Sequence, residues 1–296
     1  MKVSLLLPVH NLQDRLHRVL NGFFSQGLPE DWELIVWDDA STDRTPEILE
    51  EFNSRPRYHY HCNDTNLGRA KTRNLLVERA RGQWLLFVDG DCRPGPYFYR
   101  AWELTIENYP EQKVFFGQVR YEHSKPSGFN RFLDLGSGAD KLGEGVIPHR
   151  YFTSAHFLMH KSVFEKVGGF SEQFIGWGGE DYDLGARLGT LGLSIRYIRQ
   201  THVKHPDIKD LNEYLDRLAE FGDKNLGKLI ELYPEEDPFH LSLLKKNSVQ
   251  LMLGFPGFLA ILQRLLVQFD RTLWPFLMYR VLFLGTYGKA YLKTKK

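Results

Sequence analysis

The chain has 296 residues, 42% hydrophobic and 14% aromatic, enough apolar material for one large α/β domain with an appendage or for two domains, and too much for a disordered chain. Thirty-eight Lys and Arg against 37 Asp and Glu leave a net charge of +1, which argues against bulk affinity for nucleic acid. The two cysteines, Cys62 and Cys92, have no metal-binding spacing, so reduced thiols in a cytosolic setting are expected.

The first apolar run, Val3 to Val9, is stopped at Pro8 and is too short for a secretory leader, so it reads as a buried strand. "LQDRLHRVLNGFFSQ" follows with Leu12, Leu16, Val19, Leu20 and Phe23 at helical spacing. "WELIVWDD" is a second strand. "TPEILEEFN" opens a helix with Thr45 as N-cap and Pro46 at its first position. "RYHYHC" is a third strand, "GRAKTRNLLVERARG" a helix ended by Gly82, and "WLLFVDGD" a fourth strand. Continuous apolar strands alternating with helices indicate an α/β fold with a mostly parallel sheet covered on both faces. Ligands bind such sheets beyond the carboxyl ends of the strands.

Residues 121–148 are rich in Gly, Ser and Lys without periodicity and read as a long loop, of the kind that is mobile or functional. "RYFTSAHFLMH" returns to strand character, "KSVFEKVGG" is a short helix, and "LSIRYI" is a strand followed by "THVKHPD". Residues 208–247 form a charged amphipathic helical region. A first domain is therefore expected over 1–206 and a helical extension over 207–296. From about Ser248 the extension is strongly apolar, interrupted by Pro256 and glycines, and it ends in the basic "GKAYLKTKK". Amphipathic helices of this kind suit a membrane interface, and equally a helical lid or a homodimer contact.

The strand ends carry the chemistry. Asp89-Gly90-Asp91 can present two carboxylates to one divalent cation, with the glycine admitting a diphosphate to the backbone; the same string also makes an ordinary turn. His202 and His205 lie three apart beyond a predicted strand, and imidazole nitrogen beside carboxylate oxygen favours Mn²⁺ over Mg²⁺. Asp38 and Asp39 end the second strand, where a carboxylate can accept a hydrogen bond from a base or ribose while Ser41, Thr42 or Thr45 cap the next helix. Arg69, Lys71 and Arg73 cluster at a helix start suited to a diphosphate, or simply to a solvated face.

Taken in order, "LLPVHN", "DDASTDRT", "NLGRAKTRN" and "FVDGDC" resemble the nucleotide-sugar-binding half of family 2 glycosyltransferases of the GT-A fold. "GGF…FIGWGGEDYDL" followed by a histidine resembles the second half of the galactosyltransferase and chondroitin-polymerase type. The resemblance covers about residues 3–206. It implies a UDP-sugar donor whose uracil meets Asp39 in a pocket lined by Pro8 and His10. It implies that Asp91 binds Mn²⁺ or Mg²⁺ directly, that Asp89 contacts the ribose or supports the site, and that His205 is a later metal ligand. His202 stands where the galactosyltransferases carry a methionine ligand. Asp181 matches the general base with Glu180 beside it, Trp177 the acceptor floor, and Gly178 and Gly179 the room for a sugar. Ala40 departs from the common "DGS" pattern.

The implied reaction is direct displacement with inversion, moving galactose, N-acetylgalactosamine or a similar hexose to a hydroxyl of a glycan or lipid-linked acceptor. No covalent nucleophile is required, unlike a retaining glycosidase. The expected location is cytoplasmic, with peripheral attachment to the cytoplasmic membrane face among the readings. A pyrophosphorylase is disfavoured by the lack of a Gly-rich loop after the first strand, and a dinucleotide oxidoreductase by "PVHNLQ" in place of GxGxxG. A non-catalytic glycan- or nucleotide-sugar-binding protein with a retained fold is the alternative, against which intact Asp91, Asp181 and His205 argue.

Overall fold

The computed structural model describes residues 1–122, 127–136, 141–206, 210–236, 257–268 and 276–294. The sequence expectations for 248–256 and for the start of the last apolar run, 273–275, lie outside these residues. The chain divides into two compact units. The first holds residues 1–122, most of 138–173, and 180–206. The second holds 174–179 and the described helices of 127–136 and 210–294. The first unit ends at Pro206, and 127–136 and 174–179 cluster with the second.

The first unit is a nine-stranded mixed sheet flanked by helices. Strands β1 (Val3–Val9), β2 (Trp32–Asp38), β3 (Tyr58–Cys62) and β4 (Trp84–Val88) form a parallel block in the order β3-β2-β1-β4. The sheet continues through β8 (His156–His160), β6 (Val114–Glu122), β9 (Ile195–Pro206) and the two-residue β5 (Arg93–Pro94), with β7 (Gly145–Ile147) also on β9. Beyond β4 only β6 and β9 run parallel; β8, β5 and β7 pair antiparallel with their neighbours. The apolar runs make this possible because alternate residues point to opposite faces. Leu5, Leu7, Leu34, Val36, Leu86 and Val88 fill one core, while Leu6, Ile35, Trp37, Leu85 and Phe87 fill the other.

The helices of the parallel block follow the sequence. The amphipathic α1 (Leu16–Phe24) buries Leu16, Val19, Leu20 and Phe23. In α2 (Thr45–Glu51), however, Thr45 is the first helical residue, not the cap: its Oγ1 accepts a hydrogen bond from Leu12 N at 2.8 Å. The carboxylate of Asp43 takes up Thr45 N instead, at 2.9 Å. α3 (Arg69–Arg79) and α4 (Phe98–Asn108) complete the block, and α6 (Lys161–Val167) and α7 (Glu180–Thr190) belong to its second half.

Two sequence readings change. Residues 121–148 are not one long loop, because they contain the end of β6, the helix α5 (Gly128–Gly136) and β7. Flanking glycines and the shortness of the segment hide the spacing of Phe129, Phe132 and Leu133. "THVKHP" is not a loop after a strand but the second half of β9, which continues past a register shift where Gly117 and Gln118 face Ile198 and His202.

In the second unit α8 (Leu211–Lys224) is capped by Asp210, whose carboxylate accepts from Glu213 N at 2.8 Å. It buries Leu211, Leu215, Leu218 and Phe221. α9 (Leu226–Leu232), α10 (Phe258–Gln268) and α11 (Phe276–Thr294) follow. A side chain at Gly222 would collide with the Tyr287 carbonyl, so this glycine lets the backbones of α8 and α11 approach closely. Phe129 and Phe132 of α5 pack on Tyr279 and Phe283 of α11.

Candidate active site

At the carboxyl edge of the parallel block, the loops after β1 and β2 are laced together. Asn11 N donates to Ser41 Oγ at 2.7 Å, Gln13 N to Asp43 Oδ2 at 3.0 Å, and Thr42 N to Asn11 Oδ1 at 2.8 Å. Pro8 and His10 line the first of these loops, with His10 exposed and its ring 3.1 Å from the Asn11 amide. Asp39 is 5% exposed, and its carboxylate accepts from Leu67 N at 2.7 Å, Gly68 N at 2.8 Å and Asn63 Nδ2 at 2.8 Å. It therefore shapes the loop that leads into α3, and one of its four lone-pair directions remains. Burial pushes the neighbouring Asp38 carboxyl up despite hydrogen bonds from Ser41. Ala40 sits at φ +58°, a left-handed conformation that glycine adopts without cost. Ala40→Gly is expected to raise stability by about 0.5–1 kcal/mol, read as a higher melting temperature with the donor affinity unchanged.

Asp91 and His205 converge from β4 and β9. His205 Nε2 lies 3.6 Å from Asp91 Oδ1, and the two side chains are 18% and 23% exposed. His205 Nδ1 is 2.6 Å from the Pro206 carbonyl, which can only accept, so Nδ1 carries the proton in the neutral ring. In that form Nε2 is an acceptor beside a carboxylate oxygen, a pair of donors to a cation, and a backbone carbonyl on the far nitrogen is the usual support of a ligating imidazole. Tyr121 packs on the His205 ring at 5.2 Å. Cys92 completes the one cluster of three potential ligands among the described residues. Its thiol is buried in the core and pushed up by that burial and by the charges of Asp91 and Asp89, and a soft sulfur is the poorer partner for a hard cation. The remaining oxygen and nitrogen donors fit Mn²⁺, and less closely Mg²⁺.

His202 is not part of this cluster. Residues three apart in a strand point to opposite faces, and its imidazole fills the space where Gly95 lacks a side chain. Gly90 is a glycine for a different reason from the one its motif suggests: a side chain there would collide with the Pro8 carbonyl and Val9 of β1.

Arg73 is not an exposed cation at a helix start. It is 2% exposed, with Nη2 2.8 Å from Asp89 Oδ1 and Nη1 3.3 Å from Glu180 Oε1, and its guanidinium lies over the Phe170 ring. Burial opposes its charge, but the Asp89 and Glu180 carboxylates outweigh burial and hold it protonated. The same cation tempers Asp181. Burial, and next the Glu180 charge, push the Asp181 carboxyl up to about 7, while the Tyr182 backbone N–H and Arg73 act in the opposite sense. The three acids Glu180, Asp181 and Asp183 occupy the first turn of α7, where the helix dipole favours negative charge. Asp183 is committed to structure, accepting from Arg187 Nε at 2.9 Å and Nη2 at 2.6 Å. Arg69, at the first position of α3, is exposed.

Trp177, Gly178 and Gly179 belong to the second unit. Trp177 is half-buried, edge-on to Tyr214 at 6.0 Å and to Phe221 at 6.4 Å. Gly178 and Gly179 adopt φ of +83° and +106°. A Cβ on them would lie 3.1 Å from Phe221 and 2.7 Å from Phe174, so the room they leave on that side is taken by protein and not by a sugar. Asn225, fully buried, holds the loop: Nδ2 faces the carbonyls of Ile175, Gly178 and Trp177 at 2.9, 2.7 and 3.3 Å, and Oδ1 accepts from Ile175 N at 3.1 Å. Asn225→Ala is expected to cost about 2–3 kcal/mol by stripping several loop groups of partners, and to speed hydrogen exchange across 174–179.

Sequence reasoning missed Asn225, which sits in an unremarkable "GDKNLG", and Arg15, whose Nη1 lies 3.9 Å from Asp91 Oδ2. Arg15 was legible only as one of several polar residues around α1.

Comparison with known proteins identifies the family and the fold. The profile described as Glycosyl transferase family 2 matches residues 4–168, and that described as the N-terminal domain of galactosyltransferase matches 138–210. The uncharacterized glycosyltransferase YfnE of Bacillus subtilis is 25% identical over 276 residues, 76% of this chain and 70% of the relative. Chondroitin synthase of Escherichia coli is 22% identical over 84% of this chain, which spans 40% of that protein. The chain also spans only half of a validoxylamine A glucosyltransferase of Streptomyces hygroscopicus, at 26% identity over 67% of this chain. Among solved structures, a mannosyltransferase from Pyrobaculum calidifontis in complex with GDP-Man and Mn²⁺ has a TM-score of 0.68 at 14% identity, covering 100% of this chain and 88% of its own. S. aureus TarS in complex with UDP has a TM-score of 0.59 at 17% identity, covering 100% of this chain and 91% of its own.

Proposed function

Because the chain belongs to glycosyl transferase family 2, we propose that it is an inverting, metal-dependent glycosyltransferase that moves a hexose from a UDP-sugar to a hydroxyl of a glycan or lipid-linked acceptor. The observation that carries this reading is the pair Asp91 and His205, whose carboxylate oxygen and imidazole Nε2 lie 3.6 Å apart while Nδ1 rests against the Pro206 carbonyl. The galactosyltransferase-type match over 138–210 favours galactose, N-acetylgalactosamine or a related hexose.

In this reading Asp91 and His205 hold Mn²⁺ or Mg²⁺, which when bound stabilises the charge of the departing diphosphate. Arg15, beside Asp91, adds a positive charge on the same side. Asp39 orients the base in a pocket lined by Pro8 and His10, and Arg69 lies at the start of α3 for the diphosphate. Asp89 supports the ribose while Arg73 fixes its carboxylate. Asp181 takes the proton of the acceptor hydroxyl as that oxygen attacks the anomeric carbon and the bond to UDP breaks. A carboxyl with a pKa near 7 suits that task near neutral pH. Glu180 keeps the Asp181 carboxyl high, and Trp177 offers the acceptor sugar an apolar face.

The test is release of UDP from a panel of UDP-hexoses, with and without Mn²⁺ and acceptor. Asp91→Ala is expected to lower the metal-dependent rate by about 10²-fold or more and to remove the gain in UDP affinity that Mn²⁺ gives. The reading fails if no donor is consumed and Asp91→Ala binds UDP with Mn²⁺ as the unaltered chain does.

A further inference from the structure

The C-terminal helices present a surface that the reaction above does not use. Between α10 and α11 lies a groove of about 350 Å³, lined only by apolar side chains, among them Phe258, Ile261, Leu265, Leu277 and Val281. Ile261 is 54% exposed and Leu277 68% exposed, although both helices bury other residues, Leu262 and Leu266 in α10 and Tyr279 and Leu282 in α11. Buried Leu262 also lines the groove, so its floor is packed while its rim, Ile261 and Leu277, is open to solvent. Arg264 and Arg280 are exposed on the same two helices, and neither helix contains an Asp or Glu.

The charge of the chain is polarised along its length. Residues 238–296 hold nine Lys and Arg against the single acid Asp270, a net +8 in a chain whose total is +1, so residues 1–237 carry −7. The near-neutral total conceals this.

We propose that α10 and α11 dock the enzyme on an anionic lipid surface, with the groove residues entering the boundary between headgroups and acyl chains and the arginines pairing with lipid phosphates. Exposed apolar residues flanked by cations, with no acid among them, are what an interfacial helix pair needs. Among the described residues no helix is long and apolar enough to cross a membrane, so the helices lie on the surface. A second copy of the chain is the poorer occupant, because a two-fold contact sets the same patch against itself and brings +8 towards +8. Nucleic acid would match the charge but not a groove without a polar lining. The inference does not depend on which sugar is transferred.

The experiment is co-sedimentation of the full chain with vesicles of phosphatidylcholine alone and of equal parts phosphatidylcholine and phosphatidylglycerol, at low and high salt. Binding is expected to be about tenfold or more stronger on the anionic vesicles, and to weaken at high salt. Arg264→Gln with Arg280→Gln is expected to lower binding about tenfold or more. Ile261→Glu with Leu277→Glu is expected to abolish it, with UDP release in solution and the melting temperature unchanged because both side chains are exposed. Absence of vesicle binding, or binding indifferent to lipid charge, overturns the proposal. It is equally overturned by a dimer that Leu277→Glu dissolves in place of vesicle binding, or by tight binding to duplex or single-stranded nucleic acid without vesicle binding.

Discussion

Asp181→Asn is expected to slow transfer about a thousandfold, within the range attributed to a positioned general base, while raising the melting temperature slightly. The two effects have one cause. The Asp181 carboxyl is pushed up to about 7 by burial and by the Glu180 charge, so its ionised form is held in the folded protein at a cost. An uncharged amide of the same shape removes that cost together with the proton acceptor. Loss of activity with gain of stability distinguishes a reacting carboxylate from a structural one, whose removal would lower both. The sign of the pH dependence follows. With a raised carboxyl the basic form is depleted below about pH 7, so the rate of the unaltered enzyme is expected to fall tenfold per unit on the acid side. Stability runs the other way: a folded state that holds this proton more tightly than the unfolded chain is favoured at low pH, and that contribution is lost as pH rises through about 7. Rate–pH profiles with and without Asp181→Asn, and melting temperatures over the same range, check both statements.

Arg73→Met is expected to destabilise the protein by about 3–5 kcal/mol, the cost of leaving a buried charge partner unmatched, and to lower the melting temperature by about 10 °C. Arg73 is the cation bridging Asp89 and Glu180, and methionine fills much of the same volume without the charge. Part of the stability is expected to return as pH is lowered, because protonation relieves the carboxylates that Arg73 had compensated. The activity profile carries an independent signature. Arg73 lowers the Asp181 pKa, so its loss moves the acid limb of the rate profile to higher pH. A purely structural arginine would change the melting temperature and leave that limb in place. Both outcomes would mark Arg73 as a positioning residue, because it links the acid after β4 to the first acid of α7.

The sequence made some of this legible and concealed the rest for physical reasons. β1, β2 and β4 could be read because a strand buried on both faces is a short continuous apolar run. The acids at their ends could be read because sheet topology restricts ligands to that edge. His205 and His202 could both be read as candidate metal ligands beyond a strand, with His205 the better match. Their separation appears only when β9 is seen to run on to Pro206, since a strand assigns residues three apart to opposite faces. Arg73 looked like a solvated helix-start cation because its partners lie 16 and 107 positions away in the chain. Asn225 gave no signal at all, because an asparagine that satisfies another segment's backbone is identical in sequence to one in a turn. Gly178 and Gly179 were conspicuous, but their need for positive φ and for close phenylalanine rings is a property of packing, not of composition.

One consequence of the two-unit organisation concerns modularity. The chain passes between the units five times, and the Trp177 loop is a six-residue excursion, 174–179, inside sequence that otherwise belongs to the sheet. A single recombination point after Pro206 would exchange the helices, and with them Asn225, but leave the loop that Asn225 holds on the other parent. If the Trp177 loop meets the acceptor as proposed, chimeras that trade C-terminal halves between relatives are expected to lose acceptor use while keeping donor hydrolysis, unless residues 174–179 travel with the helices. On that proposal, new acceptor preferences would arise by paired changes at two distant stretches of the gene, not by shuffling one block.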